Sequence, residues 1–114
     1  MSGFLTFNTT ITPTILGVDT NDYAPDGLTQ SNVLRLSSSV NISITGLLST
    51  NYGYKTLIIH NIGTKNIILV NSSALSLAGN RFLHSGNITI NGDESLIITY
   101  DTTISRWRPI GEAL

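Results

Sequence analysis

The sequence contains few residues that could perform chemistry, and its two histidines are the first to consider. His60 and His84 lie far apart in the chain, and neither has a second histidine at the spacing with which one element presents two metal ligands. Asp93 and Glu94 are adjacent, so an extended segment points their carboxylates to opposite sides, whereas a glycosidase pair must flank one bond. We interpret this pair as hairpin-loop charges. We predict that the chain is not an enzyme and has no catalytic residue, metal site or cofactor.

A short segment rich in oxygen-bearing side chains raises the question of calcium binding. It contains Asp19, Asn21, Asp22 and Asp26. A calcium loop places Asp or Asn at alternating positions, followed by a glycine and a more distant glutamate. Tyr23 occupies the third alternating position here, and no glutamate follows at the required distance. We interpret the segment as a turn, and a calcium site is the alternative.

The only tryptophan, Trp107, lies between Arg106 and Arg108. It could be a platform that stacks on a sugar ring or a cation. In a strand, however, alternation sends the indole to one face and both guanidinium groups to the other. We therefore predict that Trp107 anchors the last strand in the core. We also predict a structural pair between Arg81 and Asp101, which would hold a loop beside the last hairpin.

The low charge content limits the classes of function open to this chain of 114 residues. Charged residues make up 11% of it, against roughly 25% in an ordinary soluble domain. Six basic residues cannot neutralise many phosphates, so we expect no nucleic-acid partner. No apolar run is long enough to span a membrane, and the first residues lack the basic start of a signal peptide. A neutral surface rich in Ser, Thr and Asn suits a single domain that neighbours partly cover.

Hydrophobic periodicity indicates strands along most of the chain. Val40, Ile42 and Ile44 alternate with polar residues, which is the period of a half-buried strand. Turn residues recur about every 8–12 positions, which favours an all-β, antiparallel β-sandwich or jelly-roll-like domain. The predicted core consists of Val33, Leu34, Leu36, Val40, Ile42, Ile44, Leu57, Ile59, Ile67, Leu69, Phe82, Ile88, Ile90, Leu96, Ile98 and Trp107.

The beginning of the chain differs from the rest. We predict an extended N-terminal arm over residues 1–20 and a single β-sandwich domain over residues 21–114. A loose tail is one interpretation of the arm, since chain ends are often disordered. The other is an arm that docks on a partner, because its apolar side chains need burial. The residues expected at such a contact are Phe4, Phe7, Ile11, Ile15 and Tyr23.

Two blocks of short motifs carry a resemblance to a known family. The first contains NDYAPDGL at 21–28, VLRL at 33–36 and NISITGL at 41–47. The second contains LIIHNIG at 57–63, NIIL at 66–69, NRF at 80–82, YD at 100–101 and SRWR at 105–108. In this order they resemble a small all-β module of tailed-bacteriophage virion proteins, found in capsid decoration (cement) proteins and in tail-fibre or spike tips. The resemblance covers residues 21–111 and implies a homotrimer that acts by surface contact.

The resemblance leaves two functions open. The chain starts at Met1 and shows no shaft sequence, which favours a decoration protein that stabilises the phage head by binding across capsomers. The implied partners are then further copies of the chain and the major capsid protein, in a virion assembled in the host cytoplasm. The alternative is a fibre or spike tip that binds a host receptor. Its aromatic candidates are Tyr23, Tyr52, Tyr54, His84 and Trp107.

The scarcity of residues that guard sheet edges is a second, physical reason to expect a homotrimer. Only two Lys and three Pro are present to guard the edge strands of a sandwich, and symmetry mates could cover those edges instead. A monomer whose edges the N-terminal arm covers is the other interpretation.

Overall fold

The structure, a computed structural model, describes residues 9–49 and 55–110. Within these ranges the protein is all-β, as the periodicity predicts, and its helical segments are single 3-10 turns at Leu28–Gln30 and Ala78–Asn80. No helix in the described ranges is long and apolar enough to cross a membrane. The strands are β1 (Thr10–Ile11), β2 (Val33–Leu36), β3 (Ile42–Ile44), β4 (Thr56–Asn61), β5 (Ile67–Leu69), β6 (Ile88–Ile90), β7 (Ser95–Asp101) and β8 (Arg106–Ile110).

The eight strands form two sheets. The five-stranded sheet has the order β1-β2-β4-β7-β8, and the three-stranded sheet has the order β3-β5-β6. The pairs β1–β2, β2–β4 and β3–β5 are parallel, whereas β4–β7, β7–β8 and β5–β6 are antiparallel. Both sheets are therefore mixed, and the prediction of purely antiparallel pairing is wrong.

The parallel pairs arise because the chain passes through both sheets repeatedly in the same direction. Val33 pairs with Ile58 and Ile42 pairs with Ile67, so equivalent positions of these two passes are 25 residues apart. Residues 9–23 form the first pass, which runs parallel to the second pass, residues 33–47, through β1 and through further bridges up to the one between Tyr23 and Leu47. The domain boundary expected after residue 20 therefore falls inside a continuous pass.

The core lies between the inward faces of the two sheets. In β4, β7 and β8 buried and more exposed positions alternate, and the buried side chains of both sheets join one cluster that includes Trp107. Val40, predicted in the core, is 48% exposed. It precedes Ile42, where β3 begins, so the alternation that buries Ile42 and Ile44 does not extend to it. Four core residues were not predicted: Tyr23, Leu28, Leu47 and Tyr100.

Asparagine and aspartate side chains tie one pass to the next at the corners. The Asn41 Oδ1 atom accepts a hydrogen bond from the Asn66 backbone N–H at 2.9 Å, and Asp19 Oδ1 does the same for Ser43 at 2.9 Å. The amide group of Asn61, which is 1% exposed, donates to the carbonyl oxygens of Lys65 and Ile90. Part of the high Asn content thus satisfies backbone groups that the corners leave without a ladder partner.

Candidate functional site

The outward face of the five-stranded sheet carries a row of apolar side chains. The pairing registers place Val33, Ile58, Ile97 and Ile110 side by side on four neighbouring strands. Exposure rises along the row, from 8% at Val33 through a half-buried Ile58 to 41% at Ile97 and 55% at Ile110. Outward positions of a water-facing sheet are normally polar, so the exposed Ile97 and Ile110 make the β7–β8 end of the row a candidate interaction surface. We call these four residues the apolar row.

A polar row lies next to the apolar row on the same face. Arg35, His60 and Ser95 are paired across β2, β4 and β7, and the His60 Nδ1 and Ser95 Oγ atoms are 2.5 Å apart. A cavity of about 350 Å³ adjoins them and is also lined by Asp93 and Glu94.

This polar row has only part of the arrangement needed for nucleophilic catalysis. A serine next to a histidine also needs a third group that orients the ring. Among the described residues, no carboxylate forms a hydrogen bond with the His60 ring, and the Glu94 Oε1 atom accepts from the Asn91 backbone N–H instead. The arrangement can bind polar groups, and we assign it no reaction.

A groove of about 690 Å³ lies along the first pass, between residues 11–17 and residues 23–26. Three of the five predicted partner-contact residues line it. Ile15 is 57% exposed and Ile11 is half-buried against the core. Tyr23 is 8% exposed and belongs to the core cluster, and this burial raises the pKa of its hydroxyl. Phe4 and Phe7 lie outside the described residues.

The predicted pair of Arg81 and Asp101 is replaced by two other interactions. Asp101 forms a salt bridge with Arg108, in which the Arg108 Nε atom lies 2.8 Å from the Asp101 Oδ2 atom. The hydrogen bond that Arg108 donates lowers the pKa of Asp101. The register of the β7–β8 hairpin explains the exchange, since both side chains lie on its outward face. The Arg81 Nε atom donates to the Ser76 carbonyl oxygen at 2.9 Å.

Asp22 organises a polar network between the first pass and the loop that precedes Arg81. Its Oδ1 atom accepts hydrogen bonds from the Leu77 backbone N–H at 2.8 Å and from the Asn80 amide group at 2.9 Å. The Asp22 backbone N–H donates to the Ser76 Oγ atom at 2.9 Å. The Asn80 hydrogen bond is the main reason that the pKa of Asp22 lies below its ordinary value of 3.8.

Asp22→Asn is expected to lower the free energy of unfolding by about 1 kcal/mol near neutral pH, since the hydrogen bonds lose their charge. Asn tolerates the positive φ of 47° at this position. Because folding lowers the pKa of Asp22, its contribution is complete above the ordinary pKa and disappears as the pH falls through the folded-state pKa. Urea unfolding at several acidic pH values should therefore show the two proteins converging in stability at low pH. A constant difference down to about pH 2 would contradict the charged role of Asp22.

The remaining candidate residues are the aromatic side chains and the two histidines. Trp107 is fully buried and its indole N–H donates to the Leu47 carbonyl oxygen at 3.0 Å, so it offers no stacking platform. His84 lines a cavity of about 300 Å³. Tyr52 and Tyr54 lie outside the described residues. Among the described residues, no group of three or more His, Asp or Glu side chains is placed to hold a metal ion.

Comparison of the chain with models of known protein families, with curated proteins and with solved structures finds no match.

Proposed function

We propose that the protein is a structural component of a tailed-bacteriophage virion, a homotrimeric capsid decoration protein that binds across neighbouring capsomers. In this proposal two mixed sheets enclose one core as a sandwich-like module, and surface contact, not catalysis, is its function. The apolar row on the outward face of the five-stranded sheet is the observation that carries the proposal, because the exposed side chains of Ile97 and Ile110 at its end would be buried by a protein neighbour.

The composition supports the same function. Ser, Thr and Asn supply 39 of the 114 residues, and these neutral groups enter a protein interface at lower desolvation cost than Lys or Glu. The edge of the five-stranded sheet at β1 is a two-residue strand beside the groove, and residues 9–32 contain no Lys or Arg that would guard this edge.

The experiment compares phage particles with and without the protein. Particles that lack it should release their DNA at a lower temperature than complete particles, and addition of the purified protein should restore the higher temperature. An antibody against the protein should label the heads of intact virions. Unchanged thermal release would contradict the decoration function. Labelling of fibre or spike tips, together with lost adsorption to host cells, would support the receptor-binding alternative.

A further inference from the structure

The two sides of the apolar row differ in charge. On one side the outward face of the five-stranded sheet carries Arg106 and Arg108 on β8 and Asp101 on β7, which give a formal charge of +1. On the other side Arg35 on β2 lies beside Asp93 and Glu94, which line the same cavity. Asp101 is paired with Arg108, whereas no described residue forms an ion pair with Arg106. The face is therefore positive on the side of Arg106 and Arg108.

The first pass, together with the turn that follows it up to residue 32, has the opposite sign. Residues 9–32 contain Asp19, Asp22 and Asp26 and no basic residue, which gives a formal charge of −3. Asp19 and Asp26 are exposed, and Asp26 lines the groove. The same segment exposes apolar side chains, with Ile15 at 57% and Val18 at 71%. The edge of the molecule thus complements the Arg106 and Arg108 side of the face in charge and the exposed end of the apolar row in hydrophobicity.

The far edge of the same sheet is less suited to strand pairing between copies. Its edge strand, β8, contains Pro109, which has no N–H to donate. The face next to it carries the exposed side chains of Ile97 and Ile110. A second copy therefore has more to bury on the face than along the β8 edge.

We infer that the partner of the apolar row is a second copy of this chain, which packs the edge formed by its first pass against the face. Ile15 of one copy would lie over Ile97 of the next, with the acidic residues of the edge near Arg106 and Arg108. The two contacting surfaces differ, so the contact is heterologous, and such contacts form a ring when the rotation between copies closes and an open filament when it does not. That the ring contains three copies rests on the function proposed above.

Disulfide cross-linking tests this edge-to-face contact, because the chain contains no cysteine. The Ile15→Cys and Ile97→Cys single variants are purified, mixed and oxidised, and the products are separated on a non-reducing gel. We expect covalent dimers from the mixture and a ladder up to the trimer from the double variant, with no cross-link in either single variant alone. Cross-linking of Ile97→Cys by itself would show two faces packed together and would overturn the inference. A Leu75→Cys variant, at a position 69% exposed, is the control for random collisions.

Sedimentation equilibrium of charged variants provides a second measurement. Ile97→Glu should raise the dissociation constant on the order of 100-fold, because a carboxylate would be buried at the contact. Leu75→Glu should leave the constant unchanged, and circular dichroism should show that both variants are folded.

The outcomes separate the two proposals. A wild-type trimer that neither cross-links through the cysteine pair nor responds to Ile97→Glu overturns this contact and leaves the decoration function standing. A wild-type monomer that still protects phage particles against heat overturns the contact and the trimer but not the binding to capsids. Unchanged particle stability, with cross-linking as expected, overturns only the proposed function.

Discussion

Trp107→Ala is expected to lower the free energy of unfolding by about 4 kcal/mol, which is the typical cost of removing a buried indole. Trp107 is 0% exposed and is the largest of the fully buried side chains. Its ring meets that of Tyr100 edge to face, with centroids 5.0 Å apart. The truncation removes this aromatic contact and leaves a cavity between the two sheets.

The position of Trp107 in the fold adds to this cost. Its indole N–H donates to the Leu47 carbonyl oxygen at 3.0 Å, which ties the last strand to the second pass. Its backbone N–H donates to the Arg81 carbonyl oxygen at 2.9 Å, and Phe82 forms a bridge with it. Residue 107 is therefore held to two other parts of the chain, through its indole and through its backbone, so a cavity at this site cannot collapse without moving them.

Thermal and urea unfolding followed by circular dichroism, at one fixed protein concentration, would measure the loss. The control is Leu75→Ala, which also removes a large apolar side chain but from a position 69% exposed. It should change the free energy of unfolding by no more than about 0.5 kcal/mol. Similar losses in the two variants would contradict the role of Trp107 as a core anchor.

The sequence predicts the inward and outward positions well wherever a strand is regular. Ile42 and Ile44, or Leu96 and Ile98, are buried as the two-residue period requires. The prediction is wrong at Val40, because nothing in the alternation marks where a corner ends and β3 begins. Tyr23 was placed at the surface because its neighbours are turn residues, yet its aromatic ring fills the core beside a bridge to Leu47.

Strand partners were harder to predict than strand positions. Turn residues between strands suggested hairpins, but parallel neighbours need a long connection that returns the chain to its starting side. The signal that was missed is a repeat: the strand segments 33–36 and 58–61, and the segments 42–44 and 67–69, are each 25 residues apart. Asn41 and Asn66 repeat at the same spacing, and the first accepts a hydrogen bond from the second.

The candidate site depends on this pairing and was therefore not visible as a site in the sequence. Val33, Ile58, Ile97 and Ile110 belong to four different strands, and only the register places them in one row. The exchange of the expected Arg81–Asp101 pair for Asp101–Arg108 has the same origin, since the β7–β8 register decides which side chains share a face. Side-chain direction can be predicted from local sequence, but neighbours on a sheet require knowledge of pairing.

Gly46→Ala is expected to lower the free energy of unfolding by about 3 kcal/mol, through overpacking and the loss of buried hydrogen bonds. Gly46 lies where the second pass contacts the loop that contains Ser76 and Asn80. A Cβ atom at this position would lie 2.5 Å from the Ser76 Oγ atom and 2.8 Å from the Asn80 carbonyl oxygen. The methyl group would therefore displace backbone as well as side-chain atoms.

The loop cannot move away from this methyl group without losing other interactions. The Ser76 Oγ atom is 2.7 Å from the Thr45 Oγ1 atom and accepts from the Asp22 backbone N–H. The Asn80 carbonyl oxygen accepts from the Leu47 backbone N–H at 2.9 Å. Since these groups are buried or partly buried, each hydrogen bond broken adds about 1 kcal/mol to the cost.

Gly86→Ala is the matched control for Gly46→Ala, because a Cβ atom at residue 86 would have no other atom within 4 Å. It should be neutral or stabilise the fold by up to about 1 kcal/mol, since alanine restricts the unfolded chain. Urea unfolding of the two variants separates local crowding from the general effect of replacing glycine. If Gly46→Ala were as stable as Gly86→Ala, the close approach of the Ser76 loop to the second pass would be wrong. A loss from Gly46→Ala that is smaller in a Ser76→Gly background than in the wild type would assign that part of the cost to the Ser76 side chain and the remainder to the Asn80 carbonyl oxygen.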